Sequence, residues 1–182
     1  SNGTIWSFLE DRQGRIWVGT RSNGINCIQP KTWNVKQYNT SSFPFFKNNG
    51  IRCLFQSREG RILVGTEKGV FKLADDQRIV PVFPKENSIR TSTLKSIKCF
   101  YQDYKGRFWL GTDGGGIAVL NSDFALLRTF STNDFLNNNV VYSILAENDT
   151  SFWISTNSGL SNIRWNENVL LKKANPVIRN FD

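Results

Sequence analysis

The 182-residue sequence contains no histidine, no methionine and only three cysteines. Without histidine the commonest general base and metal ligand is gone, so neither a metal centre nor a cofactor is expected. Three cysteines are too few, and odd in number, for a disulfide scaffold. No run of about 18 apolar residues occurs, so no helix of this chain is expected to cross or contact a membrane. A chain without methionine does not begin at a natural start codon. A processed or excised piece is expected, with any signal peptide or anchor outside it. Basic residues outnumber acidic ones, 23 to 15, for a net charge of +8. They are scattered with no Lys/Arg block, which reads as a solvated surface and not as a nucleic-acid footprint. What is present, 39% hydrophobic and 13% aromatic residues, is globular and long enough for one sizeable core.

The most informative stretch is Gly106-Arg107-Phe108-Trp109-Leu110-Gly111-Thr112. It recurs as Gly14-Arg15-Ile16-Trp17-Val18-Gly19-Thr20, as Gly60-Arg61-Ile62-Leu63-Val64-Gly65-Thr66, and in worn form as Thr150-Ser151-Phe152-Trp153-Ile154-Ser155-Thr156. The steps are 46, 46 and 44 residues. A fixed period in this range marks a repeat architecture.

Each repeat reads as four short strands. In the first, Ile5 to Glu10 is strand A, and Asp11-Arg12-Gln13-Gly14 carries aspartate first and glycine fourth, the signature of a type I turn. Strand B spans Arg15 to Gly19, strand C Ile25 to Ile28 and strand D Val35 to Tyr38. The later strands are expected at Ile51 to Gln56, Arg61 to Gly65, Val70 to Leu73 and Ile79 to Phe83, then at Ile97 to Gln102, Arg107 to Gly111, Ile117 to Leu120 and Leu126 to Phe130. The last repeat offers Val141 to Ala146, Phe152 to Ser155, Leu160 to Ile163 and Val177 to Phe181. No helix is expected. The fold class is therefore all-β: a β-propeller segment of about four four-stranded antiparallel blades. The blades are bounded at about residues 1–40, 41–85, 86–132 and 133–182. The longest regular loops join D to A, at Asn39 to Gly50, Pro84 to Ser96 and Ser131 to Asn139.

Aligning the repeats separates scaffold from variation. Trp17, Leu63, Trp109 and Trp153 share one strand-B position and read as filling between blades; stacking on a sugar is the alternative. Thr20, Thr66, Thr112 and Thr156 read as bonding to backbone in the B–C turn. Ser7, Cys53, Cys99 and Ser143 share a site for small side chains, so both cysteines read as packing residues and not as nucleophiles. One column differs in every blade: Trp6, Arg52, Lys98 and Tyr142. A pure packing site does not normally alternate aromatics with cations. Such a ring could stack a sugar and pair with carboxylate or sulfate groups. The alternative is that the cations reach solvent while the aromatics pack on the next blade. The B–C turns also vary: Arg21-Ser22-Asn23, Glu67-Lys68, Asp113-Gly114-Gly115 and Asn157-Ser158. Asp113 to Gly116 lacks the lysine and helix of a phosphate loop, and the Asp-x-x-Gly turns are too short for a helix–loop–helix calcium site.

The pattern of an apolar strand, an Asp-x-x-Gly turn, an apolar-Trp-apolar-Gly-Thr strand and a following Gly-aliphatic pair resembles the two-component regulator propeller repeat. The segments Asp134 to Val140 and Asn175 to Asp182 resemble the family's inter-blade regions. The resemblance implies the periplasmic sensor region of a hybrid two-component regulator of Bacteroidetes, non-enzymatic in itself, sensing glycan-derived ligands and signalling to a histidine kinase. Its expected partners are an oligosaccharide or other small glycan-derived ligand and the remaining blades of the same receptor. The alternatives are an interaction or dimerisation scaffold and a propeller lyase. Four blades leave an apolar face open at each end, so a homodimer is also expected.

Overall fold

The computed structural model describes residues 3–39, 41–46, 50–75, 77–83 and 94–181. Among them, sixteen strands form four antiparallel four-stranded sheets, each built in chain order. Blade one contains β1 (Ile5–Glu10), β2 (Ile16–Thr20), β3 (Ile25–Gln29) and β4 (Asn34–Tyr38). Blade two contains β5 (Ile51–Gln56), β6 (Ile62–Thr66), β7 (Gly69–Leu73) and β8 (Ile79–Pro81). Blade three contains β9 (Ile97–Gln102), β10 (Phe108–Thr112), β11 (Ile117–Leu120) and β12 (Leu126–Phe130). Blade four contains β13 (Val141–Asn148), β14 (Ser151–Thr156), β15 (Gly159–Arg164) and β16 (Val177–Phe181). Most of the Pro84 to Ser96 connection, residues 84–93, lies outside the described residues.

Three local differences from the sequence reading have physical causes. Strand β8 ends at Pro81, whose ring nitrogen faces the open edge of the sheet, and one further bond, from the Val82 amide to the Val70 carbonyl at 3.0 Å, continues the ladder beyond it. In blade four, β13 runs on to Asn148 and β14 begins at Ser151, with a bulge between Ala146 and Asn148. That tight connection replaces the Asp-x-x-Gly turn at unchanged length, since Ser143 and Ser155 pair across it as Cys99 and Gly111 do; the shorter last step arises between Gly111 and Ser143. The third difference is a single-turn helix, α1 (Glu167–Leu170), where none was expected. Asn166 caps it by accepting from the Val169 amide at 3.1 Å. One turn has no periodicity to read, and its hold comes from burying Val169 and Leu170.

The chain divides into two compact units, Ser1–Pro84 and Lys85–Asp182. In the first, Trp17, Ile25 and Tyr38 of blade one meet Ile51, Ile62, Val64 and Phe71 of blade two, with Phe46 closing the cluster. In the second, Trp109, Ile117 and Phe130 meet Val141, Phe152, Ile154 and Trp165, with Val169 and Leu170 of α1 beneath them. Each fully buried Phe or Leu contributes about 1.5–3 kcal/mol before entropy is charged.

The repeat's sequence signature is written in contacts. Asp11 and Asp103 are buried at the A–B turns. The Asp103 carboxylate accepts from the Lys105 and Arg107 amides, each at 3.0 Å, from Arg107 Nε at 2.7 Å and from Trp109 Nε1 at 3.1 Å. Asp11 repeats this with Gln13, Arg15 and Trp17, at 2.6–3.0 Å. Glycine closes the turn because the backbone there needs φ of 78° at Gly106. On strand B, a Cβ on Gly111 would stand 2.7 Å from Val141 of the next blade, so glycine sets how closely blades approach.

Candidate functional site

The first strand of every blade carries a β-bulge at one position. Ile5 pairs with Thr20 and Ser7 with Gly19, so Trp6 is the extra residue. Ile51 and Cys53 pair with Thr66 and Gly65 around Arg52. Ile97 and Cys99 pair with Thr112 and Gly111 around Lys98, and Val141 and Ser143 pair with Thr156 and Ser155 around Tyr142. The variable column is thus the bulged column. A bulge takes a residue out of the ladder and re-aims its side chain, which is why bulges gather beside binding sites.

Within each unit the column forms one cation–aromatic pair. The Arg52 guanidinium carbon lies 4.3 Å from the centroid of Trp6. Lys98 Nζ lies 4.5 Å from the centroid of Tyr142. The order reverses between units: the aromatic comes first in one and the cation first in the other.

A second column meets the first: the residue after the repeat threonine. Arg52 Nη2 pairs with Glu67 Oε1 at 2.6 Å, and Lys98 Nζ with Asp113 Oδ2 at 3.4 Å. The Tyr142 hydroxyl donates to Asn157 Oδ1 at 2.7 Å. Arg21 lies over the Trp6 ring at 5.8 Å. The B–C turns were visible in the sequence as variable. What reading by column missed was that each turn residue answers the bulged residue of its own blade: acid to cation, amide to phenol, cation to indole. That correspondence was the available signal.

The threonine ring is used in the turn itself. Thr20, Thr66, Thr112 and Thr156 donate to the carbonyls of Gly24, Gly69, Gly116 and Gly159 at 2.8–3.1 Å. The same hydroxyls accept from amides two or three residues on. Cys99 and Cys27 are not poised for chemistry: burial pushes the Cys99 thiol up to about 12 and raises Cys27. Among the described residues, no three His, Cys, Asp or Glu side chains group to hold a metal ion.

Two polar clefts lie elsewhere. One, of about 390 Å³, is lined by Arg128, Ser131, Asn133, Asp134, Lys172 and Asn175. The buried Arg128 there is taken up by Asp134 at 3.1 Å and by the carbonyls of Val169 and Ala174, so it anchors the α1 segment. The other, of about 320 Å³, lies along Arg15, Arg61 and Gln77.

Comparison with known proteins gives a consistent result. The family profile described as "Two component regulator propeller" matches residues 1–22 and 92–114, the opening of blades one and three. No curated protein matches the chain. The chain is similar to the extracellular domain of the hybrid two component system BT3049 from B. thetaiotaomicron, at 22% identity and a TM-score of 0.77, covering 98% of this chain and 23% of that one. It is also similar to virginiamycin B lyase from Staphylococcus aureus, at 14% identity and a TM-score of 0.71, covering 100% of this chain and 57% of the lyase. A histidine-to-alanine form of that lyase is catalytically inactive. The computationally designed Ika4 protein matches at 12% identity and a TM-score of 0.63, covering 91% and 94%. The chain therefore spans about a quarter of the receptor domain and over half of the lyase. These likenesses establish the propeller fold, and the profile establishes two-component regulator propeller repeats in the two matched segments.

Proposed function

We propose that this chain is part of the periplasmic sensor of a hybrid two-component regulator, binding a glycan-derived ligand and relaying its presence to a histidine kinase. The family profile on blades one and three supports the regulator reading. The observation that carries the ligand reading is the bulged column, with its two cation–aromatic pairs. A packing residue needs no bulge to reach a neighbouring blade, whereas a residue turned out of the ladder serves a surface.

The pairing sharpens the ligand class. Arg52 and Lys98 are neutralised by Glu67 and Asp113, so an acidic sugar gains little net charge attraction. An aromatic face flanked by donors and acceptors suits a neutral saccharide, whose hydroxyls both give and take hydrogen bonds. The competing lyase reading has only a likeness at 14% identity behind it, which shows the fold and no activity.

The test is a thermal-shift screen against neutral and sulfated oligosaccharides, repeated with Trp6→Ala and Tyr142→Ala. A stabilising neutral sugar whose effect is lost in one or both variants is expected. Stabilisation that persists undiminished in both variants would move the site off this column, and no response to any saccharide would sink the reading.

A further inference from the structure

The polar cleft beside β12 lies within one compact unit, between the edge strand of blade three and the segment that leads from α1 into β16. Its volume, about 390 Å³, is of the size that holds one small molecule. Arg128 on β12 is its most buried polar group, with a side chain only 8% exposed. Arg128 Nη2 donates to Asp134 Oδ1 at 3.1 Å, and Nη1 donates to the carbonyls of Val169 and Ala174.

Asp134 is the one carboxylate among the described lining residues, and both its oxygens are engaged. Oδ1 takes Arg128, while Oδ2 accepts from the Ser131 amide at 3.1 Å and the Ser131 hydroxyl at 3.3 Å. Those bonds cap the short turn Thr132–Asp134. An incoming cation therefore finds no open acid here.

The groups left over are of the opposite kind. Among the described residues, Lys172 Nζ has no ion pair or hydrogen bond, and the side chains of Thr129, Asn133 and Asn175 have no partner either. Arg128 keeps Nε as a further donor. Lys172 is placed by its backbone: φ is 59°, and its amide donates to the Val169 carbonyl at 3.1 Å. One full positive charge and several donors thus line a single concave surface. That set suits an oxyanion, which can accept from each of them. A neutral sugar gains nothing from the ammonium, and a cation is repelled by it.

We propose that this cleft binds a small oxyanion: a carboxylate, sulfate or phosphate group. Lys172 supplies the charge, and Thr129, Asn133 and Asn175 supply directional hydrogen bonds. Arg128 is a positioning residue, because its bonds to Val169 and Ala174 hold the Lys172–Asn175 segment beside β12. The site shares no residue with the bulged column and stands or falls independently of it.

Nuclear magnetic resonance titration at fixed ionic strength tests this, read at the Arg128 Nε–H signal. The probes are inorganic sulfate, inorganic phosphate, glucuronate and glucose. A saturable shift is expected with at least one oxyanion and none with glucose. A response to glucuronate alone assigns the cleft to a sugar acid, and a response to sulfate or phosphate alone assigns it to the inorganic ion or its ester; either supports the proposal. Lys172→Gln is expected to weaken binding about tenfold, the size of one charge-assisted hydrogen bond. Lys173→Gln, next to it and outside the cleft lining, is expected to bind as wild type. Both lysines are exposed, so neither change should move the melting temperature of the free protein. No saturable shift with any oxyanion would overturn the proposal. So would an equal response to glucose, a Lys172→Gln form that binds as wild type, or equal losses in the two variants.

Discussion

The indole N–H of Trp109 donates to the carboxylate of Asp103, six residues earlier in the chain and on the other side of a turn. Trp17 and Asp11 repeat the bond. Blade two has neither partner: Ser57 replaces the aspartate and Leu63 the tryptophan, and Ser57 Oγ merely accepts from the Arg61 amide at 3.2 Å. Blade four keeps Trp153 but has Glu147 in the aspartate's place, and that carboxylate accepts from Ser151 Oγ at 2.7 Å and Asn162 Nδ2 at 3.4 Å instead. In blades one and three the turn motif and the strand motif are one structural device.

Coupling should therefore be measurable. Asp103→Ala leaves the buried Trp109 indole N–H without its acceptor and removes one of the two carboxylates on Arg107, Glu167 remaining at 2.8 Å, which is expected to cost about 1–3 kcal/mol of unfolding free energy in urea. Asp103→Ser and Trp109→Leu, made together to copy blade two, are expected to cost less than the sum of the single changes by about 0.5–3 kcal/mol. Strict additivity would show that the bond carries nothing.

The same device sets an acid limit. Burial pushes the Asp11 carboxyl up, but the bonds from Trp17 and from the Arg15 backbone and side chain outweigh it and hold it below 3.8. A carboxyl with a lowered folded-state value contributes stability that is present above its unfolded value and lost as pH falls through the folded one. The melting-temperature gap between wild type and Asp11→Asn is expected to favour wild type at neutral pH and to narrow as pH falls below about 3.8. A gap independent of pH would contradict this.

Thiol labelling reports the packing of strand A. With the Cys99 thiol pushed up to about 12, alkylation at pH 8 is expected to be slow in the folded protein and fast in urea. Mass spectrometry of labelled peptides reads the site directly. Rapid native labelling at Cys99 would show that blades three and four part readily in solution.

The neutralised cations make a prediction about specificity. Glu67→Gln and Asp113→Asn release Arg52 and Lys98 from their partners. Because these pairs are partly exposed, stability is expected to change by no more than about 1 kcal/mol. Affinity for sulfated or carboxylated saccharides is expected to rise in both variants, with little change for neutral ones. Calorimetric titration of both sugar classes checks it.

Much of the fold was legible because the repeat is: strand positions follow from the Gly-Arg-x-Trp-x-Gly-Thr stretch and its fixed step. The α1 turn was not legible, since it stands on tertiary burial of Val169 and Leu170 and not on a pattern. The variable column was found by alignment of the repeats. That it is the bulged column was not, because a bulge depends on which residue the partner strand skips. The pairing of Arg52 with Glu67 spans 15 residues and joins a strand to a turn, a relation no local window shows.

The most direct measurement is indole N–H nuclear magnetic resonance of the chain during titration with a neutral oligosaccharide identified by thermal shift. Trp6 stands in the bulged column, while Trp17 and Trp109 are buried with their N–H groups committed to Asp11 and Asp103. The expected result is a saturable shift of the Trp6 signal with Trp17 and Trp109 unmoved. A saturating ligand that leaves Trp6 in place, with Arg52→Ala and Lys98→Ala binding as well as wild type, would contradict the assignment of this column as the ligand site.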